Sequence, residues 1–365
     1  MLLLVYVLAT FVATIQRGVF AFPNDFAIFR ASFWNLVANR DLYVLRAEQA
    51  HDLFKYSPTF ALLFAPFAVL PFVLGLLLWN LGNALAIFFA LRMVLPREQW
   101  AAAQALVALP ALRSVQSSQS NALVAALLIL AFISFERGWL WRGAIASALG
   151  AAIKIFPIVG VVFALPRPHR LRAIMITAVC VIVLAALPLI AISQAGLVAQ
   201  YHSWFALEQR EAALAGSSAI ALFRDAGFDW PAWPIQLIGS AIILAIAGLH
   251  LRDWDDGNVG VRFLALVMVF CVVFNHRAER QSAVIAVAGM VIWYLASPRQ
   301  RWRTALFAIV YFLVVMTSTE VVPASIKSML ASQVRFAIPL TIMWLVMVAE
   351  LALVRPGRPM IGEVG

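Results

Sequence analysis

The stretch "FVLGLLLWNLGNALAIFFALRMV", residues 72–94, meets no charge before Arg92. Its only strongly polar side chains before that point are Asn80 and Asn83. At a rise of about 1.5 Å per residue, a helix of this length spans a hydrocarbon core about 30 Å thick. The apolar residues are continuous and do not alternate at period two, so a membrane barrel is excluded. This block therefore predicts a transmembrane helix, and similar blocks recur along the chain.

The whole sequence agrees. Of 365 residues, 64% are hydrophobic and only 12% are charged. A soluble domain carries about twice that charged fraction. Mean hydropathy is +0.93. The expected fold is an all-α polytopic membrane protein of roughly 10–12 transmembrane helices, organised as one domain over residues 1–365. Residues 2–22 lack the basic start and the small-residue cleavage site of a signal peptide, and read as a retained first helix. Cys180 and Cys271 lie in apolar blocks and read as small core residues. The net charge of +10 comes largely from arginines that flank apolar blocks. That placement indicates anchoring on the cytoplasmic side and argues against nucleic-acid binding.

Basic clusters at 166–172, 251–262, 297–303 and 355–359 are read as cytoplasmic. Working outward from them, 172–193, 261–275 and 303–316 run out, while 235–251, 281–297 and 336–354 run in. With the N-terminus inside, residues 24–57 and 194–234 become long external loops of amphipathic character. In the first loop, Phe26, Phe29, Phe33 and Leu36–Val37 share one helical face. Between Tyr56 and Arg167 there are five apolar blocks: 58–70, 72–94, 99–112, 121–135 and 143–165. Either all five cross or three do. Charge does not decide, because Arg92, Arg97, Arg113, Arg137 and Arg142 cannot all be inside.

Polar groups at membrane depth are costly and mark candidate function. Asp25, with Arg30 five residues on, is an acid at the outer end of the first helix, placed to act as a general base. Lys55 and Tyr56 precede Pro58, which suits the first turn of a helix. Gln116, Gln119 and Asn121 cluster before an apolar block. Lys154 sits inside block 143–165, ~11 residues or roughly 16 Å from its nearer end, too far to snorkel. It requires a partner, a wet cavity or an anion. In "FNHRAERQS" (274–282), His276, Arg277, Glu279 and Arg280 are packed together. A local Glu–Arg pair is one account of them, and an anion-binding patch is the other. No Walker, GxGxxG or HExxH motif occurs, and no Cys/His metal set, so neither cofactor nor metal is expected.

The order of these features resembles the polyprenol-phosphate-mannose-dependent mannosyltransferases of membrane-embedded glycosyltransferase class C. The resemblance rests on "NDF" with Asp25, "NRDLY" (39–43), "YSPTFALLFAPFAVLP" (56–71), "SQSN" (118–121) and "AAIKIFP" (151–157). Here "SQSN" is close to the family's Gly-Gln-x-Asn, with Ser118 in place of the glycine, and "KIFP" matches its Lys-x-x-Pro. The resemblance implies a class C fold with a large external cavity. It implies inverting transfer of a mannose-like sugar from a polyprenyl-phosphate donor to a lipid or glycan acceptor. Asp25 would be the base. Arg30, Lys55, Tyr56, Gln119, Asn121, Lys154, His276, Arg277 and Arg280 would bind substrate. The expected location is a bacterial inner membrane, with the site facing outside. A transporter or flippase for a lipid-linked sugar is the competing reading, and it needs no base.

Overall fold

The computed structural model describes residues 1–20, 25–212, 216–255 and 258–353. The basic cluster 355–359 lies outside the described residues. Among those described there are helices and no strands, as expected for this class. Four helices are long and apolar enough to cross a membrane: Phe72–Val94, Arg170–Ile190, Ala232–Leu249 and Arg301–Ser318. The remaining apolar helices are shorter, and several are lined on all sides by protein.

α1 (Leu2–Ala13) packs into the bundle through Tyr6, whose hydroxyl donates to the Gln104 carbonyl at 2.7 Å. α2 (Asp25–Val37) then lies across one end of the bundle. Phe26, Phe29, Phe33 and Leu36 are buried as the period predicts, but Val37 at the frayed end is exposed. α3 (Pro58–Leu63) and α4 (Ala65–Ala68) follow. Ser57 caps α3 by accepting from the Phe60 N–H at 3.2 Å, and Pro58 occupies its first turn.

Block 58–70 does not cross. Its two helices are too short: Pro66 has no N–H for the Leu62 carbonyl, so α3 ends ahead of it, and Pro71 follows α4 as the N-cap of the next helix. They stay at the same end as α2, where the Ala68 carbonyl accepts from Arg30 Nε at 3.1 Å. α5 (Phe72–Val94), α6 (Trp100–Gln116), α7 (Asn121–Glu136) and α8 (Leu140–Ile153) each run from one end of the bundle to the other.

Block 143–165 is not one helix. Pro157 has no N–H to give the Ile153 carbonyl, and its ring would strike that carbonyl, so α8 must end at Ile153. The chain reverses at Lys154 and returns as a 3-10 helix, Phe156–Ala164. The two arms pack closely. A Cβ on Gly150 would lie 2.7 Å from the Pro157 Cβ, and one on Gly160 would lie 3.0 Å from Ser147 Oγ. The returning arm brings Arg167 to Glu136, so it crosses fully. Five passes therefore join Tyr56 to Arg167, although they are not the five blocks of the sequence. Lys154, expected mid-helix, occupies the tip of this hairpin.

The later helices alternate between the two ends of the bundle. α9 (Arg170–Ala186) leads to α10 (Gln194–Ala212) and α11 (Ala219–Asp225), which lie at the α2 end. α12 (Ala232–Leu249), α13 (Val259–Val273), α14 (Ala283–Ala296) and α15 (Arg301–Val314) alternate in direction. After the short α16 (Ala324–Met329) and α17 (Ser332–Arg335), α18 (Ala337–Leu353) makes the last pass. With one pass before Tyr56 and six after Arg167, twelve passes run between the two ends of the bundle among the described residues, four of them in helices long and apolar enough to cross a membrane alone.

α13 and α14 form the buried centre, nearly every residue of each being inaccessible. α9 instead turns Met175, Val179, Ile182 and Val183 outward, as a lipid-facing helix must. The arginines divide cleanly. Arg92 and Arg137 stand over Trp100 and Trp139 at the end away from α2, with Arg142 beside Arg137. Arg113 stands alone among the five at the α2 end, donating to the Ser318 carbonyl.

Candidate active site

The α2 end of the bundle encloses a cavity of about 1240 Å³. Its walls come from the start of α2, the loop before α3, the α6–α7 turn, the hairpin tip, α10, the start of α12 and the loop after α13. Asp25, Lys55, Tyr56, Gln119, Lys154, His276 and Arg277 all line it. These residues come from segments far apart in the sequence.

Asp25 opens α2, where an acid complements the positive end of the helix dipole. Its N–H donates to the Ser117 carbonyl at 3.1 Å, which ties α2 to the α6–α7 turn. Burial pushes its carboxyl up to about 7, and Glu279 and Asp52 add to the rise against Lys154 and Lys55. A carboxylate so placed can exchange a proton near neutrality, which suits a general base.

The α6–α7 turn depends on an unusual backbone. Ser118 has φ +56°, in the left-handed region that glycine occupies without strain. The Gly-Gln-x-Asn pattern thus has a physical reason at its first position. The turn is pinned by Trp79, whose indole N–H donates to the Ser118 carbonyl at 2.7 Å. It presents Gln119 and Asn121 inward.

Lys154 Nζ donates to Asn121 Oδ1 at 2.7 Å and lies 5.9 Å from the centre of the Tyr56 ring. Asn121 Nδ2 donates to Gln119 Oε1 at 2.6 Å, and Gln119 Nε2 donates to Glu279 Oε2 at 3.0 Å. Asn121 itself is fully buried behind Lys154. The Tyr56 ring packs edge-on against Phe29. Burial holds the Tyr56 phenol well above its ordinary range, so it stays neutral.

Two further cations of the lining, Lys55 and Arg277, are matched by carboxylates. Lys55 contacts Asp52 at 3.1 Å and Glu211 at 3.4 Å. Burial pulls its ammonium down, but Asp52 and Glu211 outweigh this and hold it above its ordinary value. Arg277 contacts Glu208 at 2.9 Å and donates to the Lys55 carbonyl at 2.9 Å. The local Glu–Arg pair that was one of the two accounts of 274–282 is not formed among the described residues. Glu279 turns to Gln119, and the carboxylate partners of Arg277 come from α10. His276 Nδ1 faces Gln236 Nε2 at 3.2 Å, so Nδ1 accepts and the ring proton belongs on Nε2, toward Glu208 at 3.5 Å.

Arg30 and Arg280 do not line the cavity. Arg30 is held by the Ala68 carbonyl near the Phe72 ring. Arg280 is half-buried beside Arg335. Sequence reasoning missed Glu208, Trp204, Trp230, Trp233 and Gln236, which α10, α12 and the segment between them bring to the cavity, and Glu211, which pairs with Lys55 behind them. Glu208 and Glu211 stand one turn apart on an amphipathic helix. That spacing was the available signal, and its use depended on knowing what the helix faced. Among the described residues, no three His, Cys, Asp or Glu side chains are grouped to hold a metal ion.

No curated protein matches the chain. Residues 54–275, more than half of the sequence, match Glycosyltransferase family 87. With that match on an all-helical membrane bundle holding a carboxylate-bearing cavity, the protein belongs to this family of membrane glycosyltransferases.

Proposed function

We propose that the protein transfers a mannose-like hexose or a pentose from a polyprenyl-phosphate donor to an acceptor hydroxyl on a lipid or glycan. The cavity lies on the extracytoplasmic side of the membrane, which in a bacterium is the inner membrane. The single observation that carries this reading is the meeting of Asp25 and Lys154 in one cavity. Asp25 is an acid poised to exchange a proton, and Lys154 is a cation that donates to the neutral amide of Asn121.

In this reading the Asp25 carboxylate takes the proton of the acceptor hydroxyl as its oxygen attacks the anomeric carbon. The bond from that carbon to the phosphate oxygen breaks, and the configuration inverts. Polyprenyl phosphate departs with one more negative charge, which the Lys154 ammonium stabilises. The site must sit beside the membrane because the donor's tail stays in the bilayer while its sugar reaches the cavity. The basic end of the bundle, carrying Arg92, Arg97, Arg137, Arg142 and the 166–172 cluster, supports placing the cavity outside.

The test is incubation of purified protein with a panel of radiolabelled polyprenyl-phosphate sugars. Wild type should transfer at least one of them, and Asp25→Asn should fold but lose about 10²- to 10⁴-fold of that transfer. Full activity in Asp25→Asn would favour a flippase, which needs no base. Orientation is tested separately by single-cysteine labelling. A reagent confined to the outside should modify positions 25, 201 and 276 but not 170, 255 or 301. Modification at 255 would reverse the threading.

A further inference from the structure

The hydrogen bonds that start at Lys154 run in one direction. An ammonium has only donors, so Asn121 must turn its oxygen to Lys154. The Asn121 amide then points at Gln119, which must answer with its oxygen. That leaves the Gln119 amide to find an acceptor, and it finds Glu279. A chain of this polarity is completed best by an anion, because a charged acceptor binds an N–H more strongly than a neutral one. It joins three segments: the hairpin tip, the α6–α7 turn and the loop after α13. Asn121 and Gln119 are buried, so water does not compete for the links between them.

We propose that Glu279 is a positioning residue, which acts through Gln119 and Asn121 to hold the Lys154 ammonium where the donor phosphate must lie. This rests on the proposed function for the identity of the phosphate, and on the hydrogen bonds alone for the positioning. Glu279 itself lines the cavity, and the role assigned to it here runs through Gln119. Its carboxylate also faces Asp25, as do Asp52, Lys154 and Lys55. Removing its charge therefore has a second effect, one that severing the chain at Gln119 does not have.

Two variants separate these effects. Glu279→Gln keeps the size of the side chain and an acceptor oxygen but removes the charge. Gln119→Met keeps the volume but cuts the chain and leaves the charge in place. Two readouts need no turnover: binding of polyprenyl phosphate to the purified full-length protein, and infrared titration of the Asp25 carboxyl, assigned by its loss in Asp25→Asn. Gln119→Met should bind polyprenyl phosphate about tenfold more weakly, with the Asp25 midpoint unmoved. Glu279→Gln should bind about threefold more weakly and lower that midpoint by about half to one pH unit.

Wild-type affinity in Gln119→Met overturns the proposal. A moved Asp25 midpoint with unchanged affinity in Glu279→Gln also overturns it, since Glu279 would then be only a neighbouring charge. If Gln119→Met melts early, Glu279→Gln decides alone by its affinity. Absence of transfer in wild type would count against the proposed function, while both binding readouts would still judge the positioning.

Discussion

The two ends of the bundle use the same side chains to opposite purpose. At the end away from the cavity, ionic groups close on one another. Arg167 bridges Glu136 and Asp255, and Trp254 Nε1 donates to Glu136 at 2.8 Å. Glu350 takes Arg303 Nε at 2.8 Å on one oxygen and Trp293 Nε1 at 2.7 Å on the other. His250 is held between Asp253 at 2.9 Å and the Leu351 carbonyl at 2.8 Å. Each network joins helix ends through paired charges, with Asp253 Oδ1 the one buried oxygen of these carboxylates left without a hydrogen-bond partner among the described residues. At the cavity end, Lys154 has an amide for a partner. Arg277 Nε and Nη2 have no hydrogen-bond partner among the described residues. Closed networks fix where helices end. An open one retains donors for something that is not protein.

The largest effect expected from this contrast is on stability, at the closed end. Glu350→Ala leaves the buried Arg303 without its carboxylate and should cost about 3–5 kcal/mol, as breaking a buried pair does. Thermal melting in detergent checks it, and the affinity for polyprenyl phosphate of the protein that remains folded should not change. A small shift in melting would mean that the closed end is no tighter than the open one.

Lys154→Met should show the reverse pattern, with melting unchanged and donor use reduced about 10- to 150-fold at sub-saturating donor. That range corresponds to the about 1.5–3 kcal/mol of a charged hydrogen bond. Lys154→Arg should recover only part of it, since a guanidinium differs in shape and reach. Wild-type turnover in Lys154→Met would remove Lys154 from the site.

Two smaller effects sharpen the comparison. Ser118→Gly should stabilise the protein by about 1 kcal/mol, because glycine meets no penalty at a positive φ. A lower melting temperature would show that the Ser118 side chain matters more than its backbone. Chelation should leave transfer intact. Activity lost to EDTA and restored by Mn²⁺ or Mg²⁺ would contradict a site built on Asp25 and Lys154 alone.

The class of fold was legible because apolar length is a strong local signal. Basic clusters paired the helix ends correctly, placing 25, 201 and 276 together and 170, 255 and 301 at the other end. The passes between Tyr56 and Arg167 were harder. A helix that stops at Leu63, ahead of Pro66, and a hairpin that turns at Lys154, ahead of Pro157, look, in sequence, like two more apolar blocks. What separates them is tertiary: the α3–α4 pair rests on α2, and Gly150 lets the returning arm close on α8. Lys154 was picked out correctly as a residue needing a partner, although for an inexact reason, since it stands at a reversal and not inside a helix. Asp25, Gln119 and Asn121 were singled out by motif order, and the fold brings Asp25 and Gln119 to the cavity wall with Asn121 behind it. Glu208 and Glu211 were not, because an acid on an amphipathic helix is ordinary until its neighbours are known.

The central claim is that Asp25 acts as the base, and the pH dependence of sugar transfer tests it most directly. Burial raises the Asp25 carboxyl to about 7. A base works in its ionised form, so transfer should rise with pH through a midpoint near 7 and fall away on the acid side. The same shift means that the folded protein holds this proton more tightly than the unfolded chain. Its contribution to stability is therefore present at low pH and lost as pH rises toward 7. Asp25→Asn should accordingly melt no lower than wild type at about pH 8, while its residual transfer shows no midpoint near 7. A wild-type profile that is flat from about pH 5 to about pH 8, or one that falls as pH rises through 7, would contradict the account.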